Sequence, residues 1–209
     1  MKKLIVKEVF LTLQGEGTYS GRLAVFCRFS GCNLWTGKES DRSKSLCDFC
    51  DTDFVGTDGV NGGRYTAKEL ASLIDSLWGD KPGQKFVVLT GGEPMLQVTE
   101  EFIEELHLRW FYIAIETNGT ISVPASIDHI CVSPKTKDFV QRHGDELKLV
   151  YPNDKISLDS VIDLNFRNHY LQPKDGMSIE QNTQLAIAQC LNDGRWQLST
   201  QTHKLLGIP

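Results

Sequence analysis

The chain lacks the features that would send it to a membrane, a secretory route or a nucleic-acid duplex. No segment approaches the ~18 consecutive apolar residues of a membrane-spanning helix. Leu4-Ile5-Val6 follows Met1-Lys2-Lys3, but Lys7 and Glu8 break that run and no small-residue cleavage site follows, so it does not read as a signal peptide. There is no surplus of positive charge: 22 Lys and Arg stand against 27 Asp and Glu, a net charge of −5, which argues against direct binding of nucleic acid. Cysteine is too sparse for a disulfide scaffold, at six in 209 residues. Internal repeats and low-complexity linkers are absent. The expectation is a cytoplasmic protein forming one domain over 1–209.

What is present is ordinary globular material, 40% hydrophobic and 23% charged, in a pattern that alternates β-branched runs with helical ones. Residues 23–30, 85–90, 111–117, 128–133, 146–151, 169–173 and 196–200 read as strands. Residues 66–78, 99–110 and 178–193 read as helices, the first two capped by Thr66 (with Glu69 completing a capping box) and Thr99. Strands alternating with helices imply an α/β fold with a parallel sheet and right-handed crossovers. About six such units are too few for a closed eight-stranded barrel, so a partial, open barrel is expected. Polar and glycine residues gather just after the strands, at Gly31-Cys32, Gly91-Gly92-Glu93, Asn118-Gly119, Ser133-Pro134-Lys135 and Gln172-Pro173, where parallel α/β folds carry their chemistry.

Three of the cysteines are grouped. Cys32 is followed by fourteen other residues, then Cys47, two more, then Cys50. Clustered thiols in a reducing compartment point to metal or redox chemistry. A structural zinc takes four ligands, and the nearest histidine in sequence is His107; Asp48, Asp51 or Asp53 would have to complete the set. A [4Fe–4S] cluster held by three thiolates leaves one iron free for a small molecule. Spacing alone leaves iron–sulfur, zinc and no metal open. Cys27 and Cys131 alternate with apolar neighbours inside strands and Cys190 lies on the last helix; all three read as core.

The second informative stretch is Gln14-Gly15-Glu16-Gly17. It reads either as a solvated hairpin loop or as a ligand-reading loop, since a carboxylate accepts from the paired N–H and NH₂ edge that guanine and pterins share. Arg28, on the strand face opposite Cys27, is either a structural ion pair or a bidentate partner for a substrate carboxylate.

Taken in order, "TLQGEG" (12–17), "VFCRFSGCNL" (25–34), "CDFCDT" (47–52), "TGGEP" (90–94), "ETNG" (116–119), "SPK" (133–135) and "LQP" (171–173) resemble the 7-carboxy-7-deazaguanine synthases, a family of radical S-adenosylmethionine (SAM) enzymes, over nearly the whole chain. The usual superfamily spacing puts three residues between the first two cysteines. The longer spacer here, 33–46, reads as a polar surface insertion, and loop-closure entropy makes it cost only on the order of 1 kcal/mol more.

The resemblance implies an abbreviated (β/α)6-type TIM barrel. It implies ring contraction of 6-carboxy-5,6,7,8-tetrahydropterin to 7-carboxy-7-deazaguanine with loss of ammonia, in queuosine and deazapurine biosynthesis, with a 5′-deoxyadenosyl radical exchanging hydrogen with the substrate. Cys32, Cys47 and Cys50 would hold a [4Fe–4S] cluster. Phe49, Thr90, Gly91, Gly92, Glu93, Glu116, Asn118, Ser133, Lys135 and Gln172 would line the SAM site. Leu13, Gln14, Gly15, Glu16, Arg28, Thr90, Gly92, His203 and Pro209 would contact the pterin. Thr52 would contribute to a Mg²⁺ site, and 201–209 would close over the substrate. A flavodoxin or ferredoxin would donate electrons, and a homodimer is expected. Two rival readings remain at this point: a small radical SAM activase acting on a protein partner, and a non-catalytic zinc module.

Overall fold

A computed structural model describes residues 3–209; Met1 and Lys2, the start of the stretch read above against a signal peptide, lie outside the described residues. The described residues form nine strands in one sheet, β1 (Leu4–Leu13), β2 (Leu23–Phe29), β3 (Gly63–Tyr65), β4 (Phe86–Gly91), β5 (Tyr112–Thr117), β6 (His129–Val132), β7 (His143–Tyr151), β8 (Asn165–Pro173) and β9 (Trp196–Leu198). The spatial order is β3-β1-β2-β4-β5-β6-β7-β8-β9. From β2 onward every neighbouring pair is parallel, while β1 runs antiparallel to both β2 and β3. The expected open parallel barrel is therefore present, with an antiparallel ribbon added at one edge.

Helices α1 (Ala67–Trp78), α2 (Glu100–His107) and α3 (Ile179–Asn192) make three of the crossovers; β5 to β6 and β6 to β7 are joined by irregular chain, and β7 to β8 by a chain holding one short helical turn, which is the sense in which the barrel is abbreviated. A fourth, short helix, α4 (Thr202–Leu206), follows β9. The Thr66–Glu69 capping box forms as read, and the Thr99 side chain accepts from Phe102 N. The second helix stops at His107 rather than residue 110, because the chain turns there and Trp110 takes a left-handed φ of 66° to enter β5. β7 and β8 begin three and four residues earlier than their apolar runs, carried by ladder pairing from His143↔Asn165 onward.

The core lies between the outer face of the sheet and α1 and α2. Leu70, Ala71, Ile74 and Trp78 on α1, and Phe102, Ile103 and Leu106 on α2, are fully or almost fully buried against it. Side chains alternate along a strand, so the same strands present a second set of residues to the barrel interior. On β5, Ile113 and Ile115 are core while Glu116 faces the cavity; on β7, Leu147 and Leu149 are core while Lys148 and Val150 face it. A bulge at Lys7 switches β1 between faces: Val6 pairs with Phe29 but Glu8 pairs with Arg28. Val6 and Val9 thereby both enter the core, and Glu8 and Phe10 reach the cavity. The displaced Lys7 side chain is buried and caged by Asp53, Asp58 and the Val55 carbonyl at 2.8, 2.7 and 3.0 Å.

Candidate active site

The carboxyl ends of the parallel strands open onto a cavity of about 360 Å³. Its walls bring together Leu13, Gln14, Gly15, Glu16, Arg28, Cys47, Phe49, Cys50, Thr52, Thr90, Gly91, Gly92, Glu116, Asn118, Ser133, Lys135, Gln172, His203 and Pro209. Of the residues expected in the cluster, SAM, pterin and Mg²⁺ sites, Cys32 and Glu93 do not line it. Glu93 is fully buried behind the wall, where its carboxylate accepts from Met95 N, Thr117 Oγ1 and Asn118 N at 2.9, 2.8 and 2.8 Å. It clips the turn after β4 to the end of β5, and burial raises its carboxyl above the usual range against those hydrogen bonds.

Cys32 lies directly under that turn. Gly92 N donates to Phe29 O and Glu93 N to Gly31 O, so the turn lies flat on the end of β2. A Cβ on Gly92 would stand 2.2 Å from Gly31 O and 2.8 Å from Cys32 Cβ, and Gly91 has a φ of 141° with Phe29 O where its Cβ would go. Only glycine permits this approach. The Cys32 Sγ accepts from Leu34 N at 3.4 Å. Asn33, next in sequence, is joined to the end of β5 through Asn118 Nδ2 at 3.0 Å and to Thr120 at 2.8 Å.

The 33–46 spacer is not a loose excursion. Leu34 and Trp35 are buried, Trp35 packs edge-on against Phe54 at 5.7 Å, and Arg42 stacks over the Trp35 ring at 4.0 Å. Arg42 Nη1 then donates to the carbonyls of Asp48 and Cys50 at 3.2 and 3.0 Å, fixing the backbone of the second and third cysteines. A tryptophan and a leucine within an otherwise polar run were the signal for this order. The Cys47 and Cys50 thiols act on one another, which draws the Cys50 thiol down to about 6 and pushes that of Cys47 up. All three thiols are free of disulfides. Among the described residues no three His, Cys, Asp or Glu side chains converge as ligands of a single ion. Three thiols bordering a glycine turn that opens on the cavity are a donor set that fits an iron–sulfur cluster held at three of its corners.

Facing the cysteines is a wall of buried charge. The Gln14–Gly17 loop closes the β1–β2 hairpin through Gln14 N to Arg22 O and Gly21 N to Gln14 O, at 2.8 and 2.7 Å. Its underside is held by the barrel interior. Thr18 N donates to Glu146 Oε1 at 3.1 Å and Gly17 N to Ser199 Oγ at 3.1 Å, and a Cβ on Gly17 would meet the Glu146 carboxylate. Glu146 is in turn paired with buried His129 at 2.7 Å. Lys148, which sequence reasoning missed, donates to Glu16 Oε2 at 2.6 Å and Glu116 Oε2 at 2.8 Å. Gln14 Nε2 reaches Glu116 Oε1 at 3.4 Å. Burial works to raise the Glu16 carboxyl, but Lys148 outweighs it and leaves Glu16 below the usual carboxylate range. Glu116 goes the other way: burial raises it, and Glu16 and Glu146 add to that against the pull of Lys148. Arg28 does pair structurally, through Nε to Glu8 Oε1 at 2.7 Å, while still lining the cavity.

The chain end folds over this wall. Thr202 N donates to Gly15 O at 3.0 Å, Gln201 Nε2 to Glu16 Oε1 at 3.1 Å, and Thr12 Oγ1 to Pro209 O at 2.8 Å. Lys204 bridges Asp51, beside Cys50, and Asp175, after β8, at 2.6 Å each. Phe49 is ringed by the ammonium groups of Lys174, Lys135 and Lys155 at 5.4, 5.8 and 6.0 Å, and Lys135 also donates to Ser133 Oγ at 2.7 Å. Thr52 faces the cavity with its hydroxyl 3.4 Å from Asp51.

Known proteins resemble this arrangement closely. A family model described as the radical SAM superfamily matches residues 41–133, starting inside the long spacer. The 7-carboxy-7-deazaguanine synthase of Caulobacter vibrioides is 57% identical over 206 residues, covering 98% of each chain, and that of Burkholderia multivorans is 53% identical with the same coverage. The crystal structure of QueE from Escherichia coli superposes with a TM-score of 0.74 at 26% identity, covering 96% of this chain and 95% of that one. The chain carries a radical SAM domain, and it belongs to the 7-carboxy-7-deazaguanine synthase family.

Proposed function

We propose that the chain converts 6-carboxy-5,6,7,8-tetrahydropterin into 7-carboxy-7-deazaguanine and ammonia in the 7-deazapurine route that leads to queuosine. The observation that carries this reading is the meeting, in one cavity, of the cysteine loop with a loop whose Gln14 and Glu16 can address a fused heterocycle. When bound, the [4Fe–4S] cluster and SAM supply one-electron cleavage and a reversible hydrogen-atom transfer at the substrate. The protein's part is to hold, orient and enclose.

Cys32, Cys47 and Cys50 are the cluster ligands in this reading. Thr90, Gly91, Gly92 and Glu93 offer the turn to the methionyl end of SAM, Glu93 through its backbone because its side chain is committed behind the wall. Phe49, Glu116, Asn118, Ser133, Lys135 and Gln172 complete the SAM site. Leu13, Gln14, Gly15, Glu16, Thr90, Gly92, His203 and Pro209 face the pterin. Arg28, engaged through Nε, turns the rest of its guanidinium to the substrate carboxylate. Thr52 joins a Mg²⁺ shared with that carboxylate. Residues 201–209 close the site and 33–46 act as a cluster-loop insertion, supported by their bonds to Glu16, Asp51 and the Cys50 carbonyl. A flavodoxin- or ferredoxin-type donor, a homodimer and a cytoplasmic setting complete the proposal; no helix among the described residues is long and apolar enough to cross a membrane.

The test is anaerobic purification followed by incubation with SAM, reductant and the carboxypterin. About four irons and four sulfides per chain with deazaguanine product are expected. Zinc alone, or a loaded enzyme inert toward the pterin, would defeat the reading.

A further inference from the structure

Lys148 belongs to no motif and has no role in the reading above, yet it sits where the two ligand-facing walls meet. Its side chain is 5% exposed, and its ammonium lies 2.6 Å from Glu16 on the pterin-facing loop and 2.8 Å from Glu116 at the end of β5. A buried ammonium is costly to desolvate, and this one is retained only because carboxylates surround it. Glu16, Glu116 and Glu146 all bear on it, with Cys131 of β6 alongside; His129 faces Glu146, and His203 of the closing segment faces Glu16. Lys148 is therefore the ammonium set among three carboxylates, one of which is hydrogen-bonded to His129.

We propose that Lys148 is a positioning residue that holds Glu16 and Glu116 together as ionised acceptors, assembling the pterin-facing and nucleoside-facing carboxylates as one unit. The proposal rests on the functional reading above. Its physical basis is the opposite pull on the two acids. Burial and the neighbouring carboxylates already push Glu116 toward holding a proton, and Lys148 is the charge that opposes them. A protonated carboxyl donates one hydrogen bond and can no longer accept a pair, so losing the ammonium converts a two-point acceptor into a mismatched donor. Because the carboxyl pKa then rises, the deficit is largest at low pH and shrinks as pH climbs through the raised value.

The experiment compares loaded wild type, Lys148→Met and Lys148→Arg in kcat and KM for the pterin and for SAM, from about pH 6 to about pH 9. Lys148→Met should raise the pterin KM by about tenfold or more at neutral pH and move the acid limb of kcat/KM up by about one pH unit. Activity should be partly recovered at the alkaline end. Lys148→Arg, keeping the charge, should retain the wild-type limb. A loss that does not vary with pH, or an arginine variant indistinguishable from methionine at equal iron content, would overturn the proposal. If Lys148→Met does not accumulate, the double variant Lys148→Met/Glu116→Gln should, because it removes the orphaned carboxylate; a double variant that fails as the single one does would also overturn it. A wild type that loads its cluster but ignores the pterin defeats the functional reading instead, so the two failures are told apart.

Discussion

The two walls of the cavity are held by different physics. The cysteine wall is loop, fixed by backbone hydrogen bonds, glycines in contact with carbonyls and the Trp35–Arg42 stack. The opposite wall is strand and hairpin loop, and its fixed points are the buried Glu16–Lys148–Glu116 ion pairs and the Glu146–His129 hydrogen bond. Neutral backbone bonds are each worth about 1 kcal/mol and fail one at a time, whereas removing one partner of a buried ion pair leaves the other charge stranded at about 3–5 kcal/mol. The first wall fails piecemeal; the second stands or falls as a unit.

Substitutions can separate the walls, beginning with the most damaging. Cys47→Ala should abolish turnover and leave the protein short of iron and sulfide while its melting temperature stays near that of the unloaded wild type, because the fold does not rest on that thiol. Gly92→Ala places a Cβ against the Gly31 carbonyl; a cost of 1–3 kcal/mol in the turn predicts SAM binding weaker by about tenfold or more, measured by equilibrium binding to loaded enzyme. Glu16→Gln acts on the other wall: iron content should hold while the pterin KM rises about tenfold, the worth of one charged hydrogen bond. If Glu16→Gln instead lowers iron content, the walls are not independent.

Acid tests the charged wall by stability. Glu16 and Glu146 are held below the ordinary value of 4.5, so their contribution is complete above it and is lost as pH falls through their lower folded values. Thermal melts should therefore weaken below about pH 4.5, more in wild type than in Glu16→Gln. The smallest effect is expected at Lys204→Met. Its pairs with Asp51 and Asp175 are partly exposed, so the pterin KM should change by less than about threefold.

The cysteine wall was legible because loop chemistry leaves local marks: two glycines where carbonyls crowd, and thiols in a polar stretch. The Thr66 and Thr99 caps were legible for the same reason. The charged wall was half visible. Gln14 and Glu16 stand between glycines, but Lys148 in "ELKLVY" looks like any solvated lysine until β7 is known to face a barrel interior. There the Glu146, Leu147, Lys148, Leu149 alternation marks one face as core and the other as site. β1 escaped notice as a strand because its bulge breaks the period-2 pattern at Lys7, and β3 and α4 are too short to leave a period at all. Glu93 sits in the recognised turn, but nothing local could show that its carboxylate looks inward to β5.

The bulge has a further consequence for how this chain tolerates changes of length. The surplus residue is left out of the ladder, so Val6↔Phe29 and Glu8↔Arg28 are already consecutive rungs. Excising Lys7 would leave Glu8 and Phe10 toward the cavity and Val9 in the core, but would unfasten the segment just past Cys50 that Lys7 ties down. At this point in the chain a deletion is therefore felt in the cysteine loop rather than in the register of the strand.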